Sequence, residues 1–140
     1  MQDRPTALEL LAAVREFIAR QVVPAFEGGR QFHARVAANV LAIVERELQE
    51  GTEQLRAEWM RLRPLCLPES ERETIADEAP PLDPLVLRAA VGALNAELAA
   101  RIRQGDADHG PARQAILAHL RATVDDKLRI ANPGYLADQR

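Results

Sequence analysis

The side chains best suited to chemistry are three histidines, His33, His109 and His119, and one cysteine, Cys66. His119 and Asp126 stand seven residues apart, close to two helical turns, with Thr123 between them. That spacing puts an imidazole and a carboxylate on one helix face, a general-base arrangement, yet no nucleophile accompanies it and structural hydrogen bonding is the simpler role. The histidines lie too far apart to form an H-x-x-x-H pair, and Cys66 has no second thiol, so neither a metal site nor a redox pair is expected. Between Leu65 and Leu67, Cys66 reads as a small buried hydrophobe. No glycine-rich nucleotide loop occurs, which argues against a self-sufficient kinase, and no cofactor is expected. Gly28, Gly29 and Arg30 put amides and a guanidinium at a helix start, where a hinge turn with a solvated arginine is the plainer reading than an anion site. His33 and Asn39 interrupt an apolar helix and read as a satisfied core or rim pair, while Asp125 and Lys127 read as solvated charges.

The elements that must position these residues are all helical. Thr6 and Glu9 form a reciprocal capping box that opens a helix over about 6–23, which Pro24 is expected to stop. Leu8, Leu11, Ile18 and Val22 make one stripe and Leu10, Val14 and Phe17 another, so substantial burial is expected. A short turn with Phe26 as plug leads to a second, antiparallel helix over about 30–50. There Phe32, Val36, Val40, Ile43 and Leu48 give an apolar stripe that Leu41 and Val44 widen toward two neighbours, and Ala34, Ala37, Ala38 and Ala42 allow close approach.

Gly51 is expected to end that helix, and Thr52 to cap a short one over about 52–63 containing Leu55, Trp59 and Leu62. The acidic, proline-rich stretch 64–83 reads as an exposed connection. Asp83 and Pro84 then open a helix over about 84–104 with Leu87, Val91, Leu94, Leu98 and Ile102 buried and Gly105 at its end. A last helix over about 111–131 carries Ile116, Leu120, Val124 and Leu128 along one side, and Asn132 and Pro133 terminate it. The pattern predicts one all-α domain over 1–140, an up-and-down bundle of four main helices plus one short helix, with a Pro-rich acidic connection.

Composition narrows the function classes. Hydrophobic residues are 47% and charged ones 28% of 140 residues, an ordinary globular balance, and aromatics are only 4%. A net charge of -3 with arginines interleaved among acids argues against a nucleic-acid partner. No apolar run suits a membrane span and the first residues do not read as a signal peptide, so no membrane is expected and a cytoplasmic location is the default. Lys127 is the one lysine among 18 basic residues, a bias that needs no function.

Three blocks, PTALELLAAVREFI, FHARVAANVLAIVERELQEG and AHLRATVDDKLRIANPGYL, together resemble a family of small bacterial helical proteins without an assigned catalytic role. Its members accompany, or are fused to, a kinase resembling aminoglycoside phosphotransferases, beside an acyl-CoA dehydrogenase. The resemblance covers both ends and the fourth helix, and leaves out Pro64 to Pro84. It implies a non-catalytic accessory subunit of a kinase acting on hydroxyacyl-CoA in 4-hydroxy acid (levulinate-type) catabolism. No catalytic residue travels with it. The polar residues inside these blocks and at the start of the second helix, Arg30, His33, Arg35, Asn39, His119, Arg121, Lys127 and Asn132, are the candidates for partner or ligand contact. The alternative is a helical module that binds acyl-CoA or another small molecule without catalysis, with arginines receiving phosphates. An independent enzyme using His119 and Asp126 ranks third. The wide stripes on the first two helices also permit a homodimer.

Overall fold

The computed structural model describes residues 3–67 and 79–137, and among them there is helix and no strand. The helices are α1 (Ala7–Phe17, prolonged by a π-helical turn, Ile18–Val22, and by Val23–Ala25), α2 (Gly28–Cys66), α3 (Pro84–Arg103), α4 (Gly110–Ala131) and the short α5 (Pro133–Ala137). The chain is an all-α bundle. It divides into two compact units, Met1–Gly51 with Arg129–Arg140, and Thr52–Leu128. Both α2 and α4 therefore contribute to each unit. Most of the 64–83 connection, residues 68–78, lies outside the described residues.

Local signals set several helix ends. The Thr6 amide donates to Glu9 Oε2 at 2.6 Å and the Glu9 amide to Thr6 Oγ1 at 3.2 Å, completing the capping box. Asp83 Oδ1 accepts from the Leu85 and Val86 amides at 2.7 and 3.2 Å, ahead of Pro84. Gly105, at φ 102°, closes α3 as the left-handed residue of a Schellman motif. Its amide donates to the Ile102 carbonyl and that of Asp106 to the Arg101 carbonyl, each at 3.1 Å.

Three boundaries differ from the expectation. Pro24 does not stop the first helix at 23. Lacking an amide hydrogen, it removes one bond of the α-helical ladder, and the chain widens into a π turn just before it, in which the Val23 amide donates to the Ile18 carbonyl. The stretches 30–50 and 52–63 form a single helix of 39 residues, because Gly51 remains within helical geometry. An interior glycine costs only about 1 kcal/mol relative to alanine, and the apolar residues on either side outweigh that. Pro64 likewise lies inside the final turn of α2, where its missing amide forgoes a single ladder bond beside carbonyls that already lack helical donors. Beyond Pro133 the chain forms α5 with Tyr135 half exposed.

The unit Thr52–Leu128 holds the core. Trp59 and Leu62 from α2, Leu87, Val91 and Leu98 from α3, and Ile116 from α4 are buried together, with Leu55, Leu94 and Ile102 packed against them. The Arg63 guanidinium lies 4.5 Å from the centroid of the Trp59 ring. On α4 the buried positions are Ile116, His119, Thr123 and Ile130, whereas Leu120 and Val124, read as sharing one side with Ile116, are exposed. A four-residue step drifts about 40° around a helix, and only alternating steps of three and four stay on one face.

The other unit is built on an antiparallel pairing of α1 with the first part of α2. Arg15 Nε donates to both oxygens of Glu45 at 2.9 and 3.0 Å, and near the turn Gln31 Nε2 donates to the Val23 carbonyl at 3.2 Å. Ala34, Ala38 and Ala42, half-buried, share the face of α2 that carries Gln31 and Glu45. Arg46 Nε donates at 2.6 Å to the Ile130 carbonyl, satisfying an acceptor in the last turn of α4. The first stripe of α1, Leu8, Leu11, Ile18 and Val22, is half-buried, as are Leu41 and Ile43 on α2, but the expected burial of the remaining stripe positions does not hold. Leu10, Val14 and Phe17 on α1, and Phe32, Val36, Val40, Val44 and Leu48 on α2, are exposed, because the hairpin supplies each helix with one neighbour and the stripes need two. Phe26 is also partly exposed rather than a sealed plug.

These burial differences have unequal energetic weight. Leu62→Ala is expected to cost about 3 kcal/mol through lost burial and a residual cavity, while Val40→Ala in the isolated chain should stay within about 0.5 kcal/mol. Urea denaturation of both variants checks the contrast.

Candidate functional site

A cleft of about 590 Å³ opens in the unit Thr52–Leu128, within the usual range for small-molecule sites. Arg61, Pro64 and Leu65 line it from the end of α2, Arg101 from the end of α3, Asp106 from the turn that follows, and Pro111 to His119 from the start of α4. Its position follows from the helix ends. The Schellman turn at Gly105 reverses the chain and leaves Asp106 beside Arg101, whose Nε donates to Asp106 Oδ2 at 2.9 Å. Arg101 Nη1 also donates at 2.7 Å to the Leu65 carbonyl, an acceptor left over at the end of α2. A side chain at 105 would be strained at that φ and would meet the Asp108 carboxylate at 3.2 Å.

Arg61 is held from the opposite side, its Nη2 donating to Asp126 Oδ2 at 2.6 Å. Its Nε is buried without a protein partner. His119 is 3% exposed, with Nε2 3.5 Å from the Thr123 hydroxyl and Nδ1 buried without a partner. Burial pulls the His119 imidazole below its usual 6.5, the nearby Arg61 guanidinium acts in the same direction, and Glu58 opposes them. His119 is therefore neutral at pH 7, with one ring nitrogen committed weakly and the other uncommitted. Burial pushes the Cys66 thiol up, and its Sγ lies 3.4 Å from the Leu94 carbonyl, the setting of a packed thiol rather than a nucleophile.

The eight contact candidates do not converge. Arg30, His33, Arg35 and Asn39 are exposed on the first part of α2, with the His33 ring tilted against Phe32 at 5.8 Å between centroids. Arg121 and Lys127 are exposed on α4, and Asn132 follows it, also exposed. Only His119 reaches the cleft. Arg61 and Arg101 were not among the candidates. The one sequence hint for them is that each sits in register with buried leucine, Arg61 beside Leu62 and Arg101 three residues after Leu98. Asp126, read as a partner for His119, engages Arg61. Among the described residues, no group of three or more His, Cys, Asp or Glu side chains could hold a metal ion, and no helix is long and apolar enough to cross a membrane.

A family model, that of a domain of unknown function designated DUF6285, matches residues 24–135, four-fifths of the chain. The chain belongs to that family. The match takes in α2, α3 and α4, and so every residue that lines the cleft, whereas α1 and its capping box precede it. No curated protein and no solved structure is significantly similar to this chain.

The depressed imidazole makes a prediction with a definite sign. The folded state resists protonation of His119 more than the unfolded state, so its contribution to stability is complete above 6.5 and is lost as the pH falls below that value. His119→Phe should remove this part of the acid sensitivity. Urea midpoints of wild type and variant at about pH 7.5 and about pH 5.5 give the comparison, and a parallel decline in both would contradict it.

Proposed function

We propose that the chain is a non-catalytic binding subunit that docks on a partner protein through the outward apolar face of its α1–α2 hairpin. The observation that carries this reading is the exposure of large apolar side chains there, with Phe17 60%, Phe32 62%, Val40 50% and Leu48 57% exposed. Summed over both helices these side chains leave on the order of 800 Å² of apolar surface, and because the four-residue steps from Phe32 to Leu48 wind about 160° around α2, that surface is a spiral stripe for a partner to wrap rather than one flat patch. Ion pairs such as Arg20–Glu16 stand on the same hairpin, a polar surround of the kind that interfaces carry at their rims.

The partner that the sequence resemblance implies is a kinase similar to aminoglycoside phosphotransferases, acting on a hydroxyacyl-CoA. In that arrangement the kinase supplies the phosphate chemistry and this chain supplies a surface. The absence of a nucleotide loop in the sequence and the engagement of Asp126 by Arg61 both favour a binding role over an independent enzyme.

The test is co-expression of the untagged chain with a tagged aminoglycoside-phosphotransferase-like kinase. Co-elution at fixed stoichiometry is expected, with Val40→Asp weakening it at least tenfold while the helical circular dichroism is kept. Clean separation of the wild-type chain from the kinase would overturn the reading. So would a dimer of the chain alone that Val40→Asp dissociates, since the face would then belong to a second copy.

A further inference from the structure

One helix of the unit Thr52–Leu128 is apolar on two sides. The inner side of α3 carries Leu87, Val91 and Leu98 in the core. Its outer side carries Leu85, Ala89, Gly92, Ala93 and Ala96, all exposed, with Ala100 half-buried beyond them. At about 100° per residue these six fall within an arc of about 100°, and no polar side chain enters that arc between Leu85 and Ala100. Leu82 and Leu85, 84% and 78% exposed, are the most exposed large apolar side chains among the described residues, and Val86 beside them is also exposed. The outer side of an ordinary surface helix is polar, and a helix that is apolar all round is normally a buried one. Gly92 adds a second sign. A methyl group there would meet nothing within 4 Å, so no contact inside the chain requires a glycine at that position. Glycine is a poor helix former, and what it permits in return is the close approach of another backbone.

We propose that this face packs on the same face of a second copy, as an antiparallel pair of α3 helices with the twofold axis at Gly92 and Ala93. A twofold interface must be complementary to itself, and the order of residues along α3 meets that condition. In this register Leu85 falls opposite Ala100, Ala89 opposite Ala96 and Gly92 opposite Ala93, so the bulky end of each helix lies on the small end of the other. A parallel pair would set leucine on leucine at one end and alanine on alanine at the other, and the helices would splay. Leu82 comes level with Arg103 of the second copy, whose aliphatic stem covers it while the guanidinium stays in water. Antiparallel alignment also sets opposite ends of the helix dipoles side by side. The exposed parts of these side chains come to on the order of 500 Å² per copy, and about 1,000 Å² for the pair reaches the area that a specific interface needs. The α3 face is separate from the hairpin face and does not depend on the partner assigned there.

Sedimentation equilibrium of the full chain reads the association, and a dimer is expected at about 100 µM. Gly92→Glu puts a better helix former at an open position, so the helical circular dichroism should be kept while the dimer dissociation constant rises at least tenfold. Val40→Asp, on the hairpin, should leave the dimer intact. Register is read by oxidative cross-linking in a Cys66→Ala background. Ala93→Cys, beside the axis, should link two copies, whereas Leu85→Cys lies about 20 Å from its counterpart and should not. A wild-type chain that stays monomeric at about 100 µM would overturn the proposal. So would a dimer that Gly92→Glu leaves unchanged, or one that Val40→Asp dissociates. Cross-linking through Leu85→Cys in preference to Ala93→Cys would overturn the antiparallel register.

Discussion

Leu62 and Leu87, on α2 and α3, retain no exposure to water, and the unit Thr52–Leu128 is built on the core they share with Trp59, Val91, Leu98 and Ile116. The polar side chains of the cleft are indexed to that core. Arg61 directly precedes Leu62, Arg101 follows Leu98 by three residues, and His119 follows Ile116 by three. Rotating any of these helices to improve the solvation of one polar group would withdraw an apolar neighbour from the core. Hydrophobic burial thus outweighs the cost of holding an imidazole and a guanidinium with incomplete hydrogen bonding. The cleft is polar where it is because the leucines are fixed first.

The two units show two ways of using the same residue types. Around Leu62 the apolar side chains of three helices close on one another, leaving charges at the margin. On the α1–α2 hairpin the half-buried groups are Leu8, Leu11, Ile18 and Leu41 together with small alanines and the Arg15–Glu45 pair, while many other bulky apolar groups stay exposed. No side chain of α1 is fully buried, so the hairpin's own pairing contributes modestly to its stability.

Much of the fold was legible in the sequence because its signals are local. The capping box at Thr6 and Glu9, the cap at Asp83 and the stop at Gly105 each involve neighbours within a few residues, and each is present. Continuity through Gly51 was not legible, because a glycine favours a break locally and only the apolar residues on both sides decide otherwise. The α4 face was misread for a different reason. Its core register includes His119 and Thr123, so counting only apolar residues selected Leu120 and Val124 instead. Of the cleft, His119 was visible as a polar residue in a helical block, but nothing local singled out Arg61 and Arg101. Their burial is set by contacts with Asp126 and Leu65, 65 and 36 residues distant in the chain, which no local pattern encodes.

The π-helical turn ahead of Pro24 gives the first arm of the hairpin two phases. One additional residue in a turn rotates everything beyond it by about 100°, so apolar positions before and after Ile18–Val22 belong to different reading frames of the same rod. Leu10, Val14 and Phe17 are indexed to one frame and Val23 to the other, and Phe26 follows as the extended residue that caps the rod. Deleting a single residue within the turn would restore regular winding yet swing Phe26 to another side without altering one apolar side chain. In this segment the spacing of the chain, as much as its composition, is the inherited quantity, and tolerance to substitution should exceed tolerance to a change of length.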